Sequence, residues 1–155
     1  MKTLIYIIII ASTLATFIAS GQEKREFRPL IPGRFTSAEI LQKALTWEGR
    51  SYRAGVSAQC ANWVGHVVRS AGGTPPVGHA IARNWLKWGN SVPRAAIKPG
   101  DIVVTWRGSR SGAEGHILIY VGDGVCIHRP TRSKPVQKID LSTYSSRILG
   151  IRRKR

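Results

Sequence analysis

The sequence predicts an α+β fold, with N-terminal helices packed on a small antiparallel sheet. Three observations carry this expectation. Apolar residues recur at helical spacing through the first half of the chain. From residue 101 the pattern changes to short strand-like runs set off by glycines. The triplet Gly122-Asp123-Gly124 then marks a tight hairpin between two of those runs. Helices first and a strand meander afterwards argue for separated layers rather than alternating βαβ units. With 155 residues and no internal repeat, the chain has the size of one ordinary domain.

Taken in order, residues 1–21 read as a secretory signal peptide. Lys2 supplies the basic start, residues 4–18 are apolar or small, and Ala19-Ser20-Gly21 forms a small-residue exit. The alternative is an uncleaved anchor, although the apolar stretch falls short of the roughly 20 residues of a spanning helix. Secretion or a periplasmic location is therefore expected. Residues 22–35, with Pro29, Pro32 and Gly33, read as an extended lead-in, and residues 36–155 as the domain proper. Thr36 and Glu39 fit a capping box. The helix it opens carries Ile40, Leu41, Ala44 and Leu45 on one face and ends at Gly49. After a loop, Cys60, Trp63, Val64, Val67, Val68 and Ala71 predict a second helix, stopped by Gly72-Gly73 and Pro75-Pro76. A third helix is expected over 79–88. Strands are expected over 101–106, 116–121, 125–128 and 147–152, with residues 107–115 a glycine-bearing loop.

The formal net charge is +16, and removing residues 1–21 takes away only Lys2. Such a field attracts polyanions. For a secreted protein these are anionic lipid headgroups, envelope polymers and extracellular nucleic acid. No helix-turn-helix, zinc-finger or aromatic RNA-binding signature is present, so specific nucleic-acid binding is not expected. The two cysteines, Cys60 and Cys126, are expected as free thiols, Cys126 lying in a strand-like apolar run. No Cys-x-x-Cys or His-x-x-x-His pair suggests a metal, and none is expected.

The chemistry centres on Cys60. A thiol in the first turn of a helix meets unpaired backbone N–H groups and the helix dipole, which favour thiolate. His116 opens a strand 56 residues later, and His128 follows it by 12. Pairing about Asp123 sets residues 117–119 opposite 127–129, which brings His128 beside the start of the His116 strand. There it can fix the His116 tautomer, as an acid or amide does in other triads. Spacing alone leaves a bland alternative open, in which Cys60 is a helix core residue and both histidines are ordinary strand residues. His66 falls on another helix face and reads as structural, and His79 as a helix-start residue. Trp63, Trp85 and Trp88 read as core or cleft walls, and Asp101 as the start of a strand.

The order of these pieces resembles the NlpC/P60 family of cell-wall peptidases and amidases. The matching stretches are Cys60, Lys98-Pro99-Gly100-Asp101-Ile102-Val103-Val104, Gly115-His116-Ile117-Leu118-Ile119-Tyr120-Val121-Gly122 and Cys126-Ile127-His128. The related CHAP amidases share the Pro-Gly-Asp and Gly-His pieces. The resemblance implies a papain-like fold and a Cys-His-His triad of Cys60, His116 and His128. It implies that Tyr52, 8 residues before Cys60, supports substrate binding. It further implies a monomeric hydrolase without cofactor, cleaving an amide bond of peptidoglycan within the stem peptide or at its junction with the sugar. The alternative function is a non-catalytic cationic module on the same fold, binding cell wall or membrane. One departure bears on specificity. Many members carry Asp-Cys-Ser-Gly, whose Asp and Ser help hold the free amine of a stem peptide; this chain has Gln59-Cys60-Ala61-Asn62.

Overall fold

The computed structural model describes residues 35–53 and 59–154. The expected signal peptide and all of the lead-in except Phe35 lie outside the described residues. Helix α1 spans Ser37–Leu45. Its capping box is formed: Glu39 N–H donates to Thr36 Oγ1 at 3.2 Å, and Thr36 N–H donates to the Glu39 carboxylate. The helix stops at Leu45, earlier than Gly49, and turns carry the chain on to Gly49. Gly49 has φ +77° and its N–H donates to Val136 O, so it serves a long-range contact. Helix α2 spans Gln59–Ser70 and buries one full face, with Trp63, Val64, Val67 and Val68 completely inaccessible. Each such side chain contributes about 1.5–3 kcal/mol on burial.

Residues 79–88 do not form an α-helix. Turns run through residue 80, and a 3-10 helix spans Ala82–Lys87. Side chains bind the preceding turn: Asn84 Nδ2 donates to Gly78 O at 2.9 Å and Trp85 Nε1 to His79 O at 2.8 Å. The three-residue period buries Ala82 and Trp85 together, and Trp85 meets Trp88 with ring centroids 5.5 Å apart. The turn presses onto α2 so closely that a Cβ at Gly65 would lie 2.4 Å from His79 Cδ2.

Six antiparallel strands follow: β1 Asn90–Ser91, β2 Ile102–Trp106, β3 Gly115–Gly122, β4 Val125–His128, β5 Gln137–Asp140 and β6 Ile148–Arg153, in the spatial order β1-β6-β2-β3-β4-β5. The expected hairpin register holds at Ile119↔Ile127 and Tyr120↔Cys126. At the turn a bulge pairs Gly122, rather than Val121, with Val125. β1 and β5 are additions to the four strands expected. Alternation sorts the sheet into two faces. Ile102, Val104, Ile117, Ile119 and Ile127 pack under α1 and α2. Val103, Leu118, Cys126 and Ile151 face the other way, covered by Leu141 and Tyr144 of a 3-10 helix spanning Leu141–Arg147.

Asp101 anchors the sheet's start. Its buried carboxylate accepts from Lys98 N–H at 2.8 Å and takes a two-pronged contact from Arg153 at 2.7 Å on each oxygen. This closes the Pro99-Gly100 turn and ties down the end of β6. Gly100 has φ +88°, and a Cβ there would lie 2.0 Å from Ser37 O, so the turn sits directly on the start of α1.

Candidate active site

Cys60 is the second residue of α2 and is half-buried at the floor of a cleft of about 410 Å³. Backbone N–H groups of Ala61, Ile117 and Cys60 itself lie close enough to its thiol to favour the thiolate. The helix end therefore acts on the sulfur as expected, and a strand amide joins it. Burial nevertheless outweighs these donors and the nearby Arg107 charge, and the thiol pKa is raised above its ordinary value. The expectation of a thiol shifted toward thiolate at rest is corrected accordingly: desolvation of the charged form is the larger effect. Both cysteines are free, and Cys126 is fully buried with its thiol pushed up to about 12, first by burial and then by the Asp140 charge.

His116 and His128 are brought into direct contact. His116 Nε2 lies 2.7 Å from His128 Nδ1, with the rings 75° apart and both side chains about 1% exposed. Alternation puts them on the Leu118 and Cys126 face, where Tyr144 packs at 5.5 Å from His116 and 6.1 Å from His128. Cys60 instead packs with the helix-side core. The thiol sits at the end of α2 beside the backbone amide of Ile117, the residue after His116, and its charge is felt by Tyr144, the ring that packs on both imidazoles. His116 Nδ1 and His128 Nε2 are buried and have no hydrogen-bond partner among the described residues. Burial, then the His128 and Arg107 charges, lower the His116 pKa to about 3; burial, then Arg107, lower that of His128 to about 4. The resting pair is neutral at neutral pH. With Nε2 of His116 committed to His128, its Nδ1 is the nitrogen left to exchange a proton.

Tyr52 is buried behind the start of α2. Its ring meets Trp47 edge-on at 5.4 Å, and its hydroxyl donates to Asn62 O at 3.3 Å. It is not among the residues lining the Cys60 cleft. His66 joins the same aromatic group, 5.2 Å from Trp47 and 5.4 Å from Tyr52, as a structural residue. Three contributors escaped sequence reasoning. Arg107, just after β2, lines the cleft and its charge acts on Cys60, both histidines and Tyr144. Arg129, next to His128, is completely buried; it donates to Tyr52 O at 3.0 Å, to Arg132 O at 2.8 Å and to Thr131 O. Tyr144 lies far along the chain in a segment without periodicity. The signal for Arg129 was its adjacency to His128; the others left none. Among the described residues no group of three His, Cys, Asp or Glu side chains is placed to hold a metal, and no helix is long and apolar enough to cross a membrane.

Comparison with known proteins places this geometry. The NlpC/P60 family matches residues 45–153. The chain is similar to gamma-D-glutamyl-L-lysine dipeptidyl-peptidases of two species. It is 24% identical to that of Bacillus subtilis over 131 residues, covering 81% of this chain and 43% of the relative. It is 29% identical to that of Bacillus cereus over 110 residues, covering 69% and 31%. The chain thus spans less than half the length of these curated relatives. The crystal structure of an NlpC/P60 family protein from Bacillus cereus superposes with a TM-score of 0.64 at 25% identity, covering 76% of this chain and 39% of that one. The family match takes in α2, the whole sheet and the buried histidine pair, and the chain belongs to the NlpC/P60 family.

Proposed function

We propose that this protein is a secreted cysteine hydrolase that cleaves an amide bond of peptidoglycan, with Cys60 as nucleophile, His116 as base and His128 as the group that orients it. The observation that carries the reading is the buried 2.7 Å contact between His116 Nε2 and His128 Nδ1, which leaves His116 Nδ1 unpaired. For His116 to accept a proton at Nδ1, its Nε2 must carry hydrogen and donate to His128 Nδ1. That requirement assigns the tautomers of both rings. The relatives' activity on a γ-D-glutamyl-L-lysine bond supports a stem-peptide linkage as the target. Secretion rests on the character of residues 1–21.

Because the resting pair is neutral, the thiol proton moves to His116 Nδ1 as sulfur attacks the carbonyl. Cys60 N–H, at the helix end, is the donor for the developing oxyanion. Collapse breaks the C–N bond, His116 returns the proton to the leaving amine, and a thioester remains. Water then gives a proton to His116 as its oxygen attacks the thioester, and the departing sulfur takes that proton back. Tyr52 supports this from behind, holding the carbonyl of Asn62 in the first turn of α2.

The test is digestion of purified peptidoglycan by the wild type and by Cys60→Ala, with product masses read out. Fragments should appear only with the wild type, and fragments released equally by Cys60→Ala would overturn the assignment. The net charge of +16 favours a second reading, a cationic wall-binding module. That reading is upheld if both proteins bind wall and neither releases fragments.

A further inference from the structure

The cleft over Cys60 has an uneven charge. Its side chains include Arg107 on one wall and Arg132 on another, against a single carboxylate, Glu114. Gln59, directly before the nucleophile, lines the same floor and carries no charge. Where a family pattern of Asp beside the cysteine suits a substrate amine, this cleft offers guanidinium groups. Both arginines are exposed, and neither forms an ion pair among the described residues.

The two walls are also held in place by other arginines. Arg83 donates from Nε to Glu114 O at 3.0 Å, and from Nη2 to Ser109 O at 3.3 Å and Arg110 O at 2.9 Å. It thereby fixes the loop that leaves β2 at Arg107. Arg107 N–H itself donates to Glu114 O, closing the base of that loop. Across the cleft, buried Arg129 donates to the carbonyls of Thr131 and Arg132. Each cleft arginine therefore projects from backbone that a second arginine clamps. Backbone that is already ordered lowers the cost of ordering each wall on binding, while the exposed guanidinium groups stay open to a ligand. Guanidinium matches a carboxylate in shape and charge.

We propose that Arg107 and Arg132 form a carboxylate-recognising subsite, selecting peptides with a free carboxylate close to the scissile amide. This rests on Cys60 being the nucleophile. A γ-glutamyl amide is such a substrate: the side-chain carbonyl is in the scissile bond, and the α-carboxylate remains free on a short aliphatic spacer. Capping that carboxylate as a carboxamide removes the charge while nearly preserving shape.

The experiment measures binding of L-alanyl-γ-D-glutamyl-L-lysine and its α-carboxamide to Cys60→Ala by calorimetry, then their kcat/KM with the wild type. The carboxylate form should bind about tenfold or more tightly, the range for a charge-assisted contact. Adding Arg107→Gln or Arg132→Gln should shrink that preference toward unity, and Arg107→Lys should restore part of it. Arg94→Gln, an exposed charge outside the cleft, should leave it unchanged. Equal binding of the two peptides, or a preference that survives both glutamine substitutions, overturns the subsite. The two readings fail separately. If the wild type cleaves neither these peptides nor peptidoglycan while Cys60→Ala keeps the preference, the hydrolase reading falls and the subsite stands. If both peptides are cleaved and bound equally, the subsite falls and the hydrolase stands.

Discussion

Acidification should strike the buried histidine pair directly. In the folded chain, burial and neighbouring positive charge hold His116 at about 3 and His128 at about 4, against an ordinary value of 6.5. Unfolding returns both rings to water and to that ordinary value. The unfolded state therefore binds more protons throughout the interval between the two sets of values. Stability from the pair is complete above about pH 6.5 and is lost as pH falls toward 4 and then 3. From about pH 7 to about pH 5, each ring gives up about 2 kcal/mol, so the pair gives up about 4 kcal/mol. That is a large share of the roughly 5–15 kcal/mol that a domain possesses. Urea unfolding at both pH values, on the wild type and on His116→Gln combined with His128→Gln, isolates the effect. His66 and His79, also lowered chiefly by burial, are common to both proteins and cancel in the comparison. With a slope of about 1–2 kcal/mol per molar urea, the wild-type midpoint should drop about 2–4 M further than the variant's. Equal acid losses in the two proteins would refute the claim that folding keeps this pair neutral.

Other outcomes follow from single contacts. His128→Ala removes the partner of His116 Nε2 and should lower kcat/KM on peptidoglycan fragments about 10- to 100-fold, with partial recovery in His128→Asn. Asp101→Ala leaves Arg153 and Lys98 N–H without their buried acceptor and should cost about 2–4 kcal/mol in urea unfolding, the lower part of the range reflecting Arg153's partial exposure. Gly100→Ala combines a left-handed φ with a Cβ placed against the Ser37 carbonyl, neither of which can give way; a loss of more than about 2 kcal/mol should appear in the same assay.

Much of the fold was legible because its signals are local. The Thr36 and Glu39 cap and the apolar face of α2 each lie within a few residues of the features they specify. The hairpin register could be read as far as Tyr120↔Cys126, since a turn counts residues outward equally on both sides. It failed at Val121, where a bulge absorbs one residue. β5 was hidden because Gln137–Asp140 is an edge strand with alternating partly buried and exposed positions and two charged side chains. The segment before Trp88 has helical composition, but side-chain bonds to Gly78 O and His79 O favour a 3-10 helix. At the site, the histidine contact was foreseeable from register. The thiol's charge state was not, because the helix end and the burial that opposes it come from different parts of the chain. Arg107, Arg129 and Tyr144 reach the site through tertiary packing alone.

The clamps of Arg83 and Arg129 have a consequence for redesign. Each grips main-chain carbonyls, so the course of the two walls does not depend on which side chains those walls carry. Positions 107 and 132 can be rewritten as acids, amides or apolar residues while the scaffold beneath them keeps its path. The cleft is in that sense a socket with interchangeable contacts, and under the proposed function a panel of such replacements should sort by the charge of the peptide that each one binds.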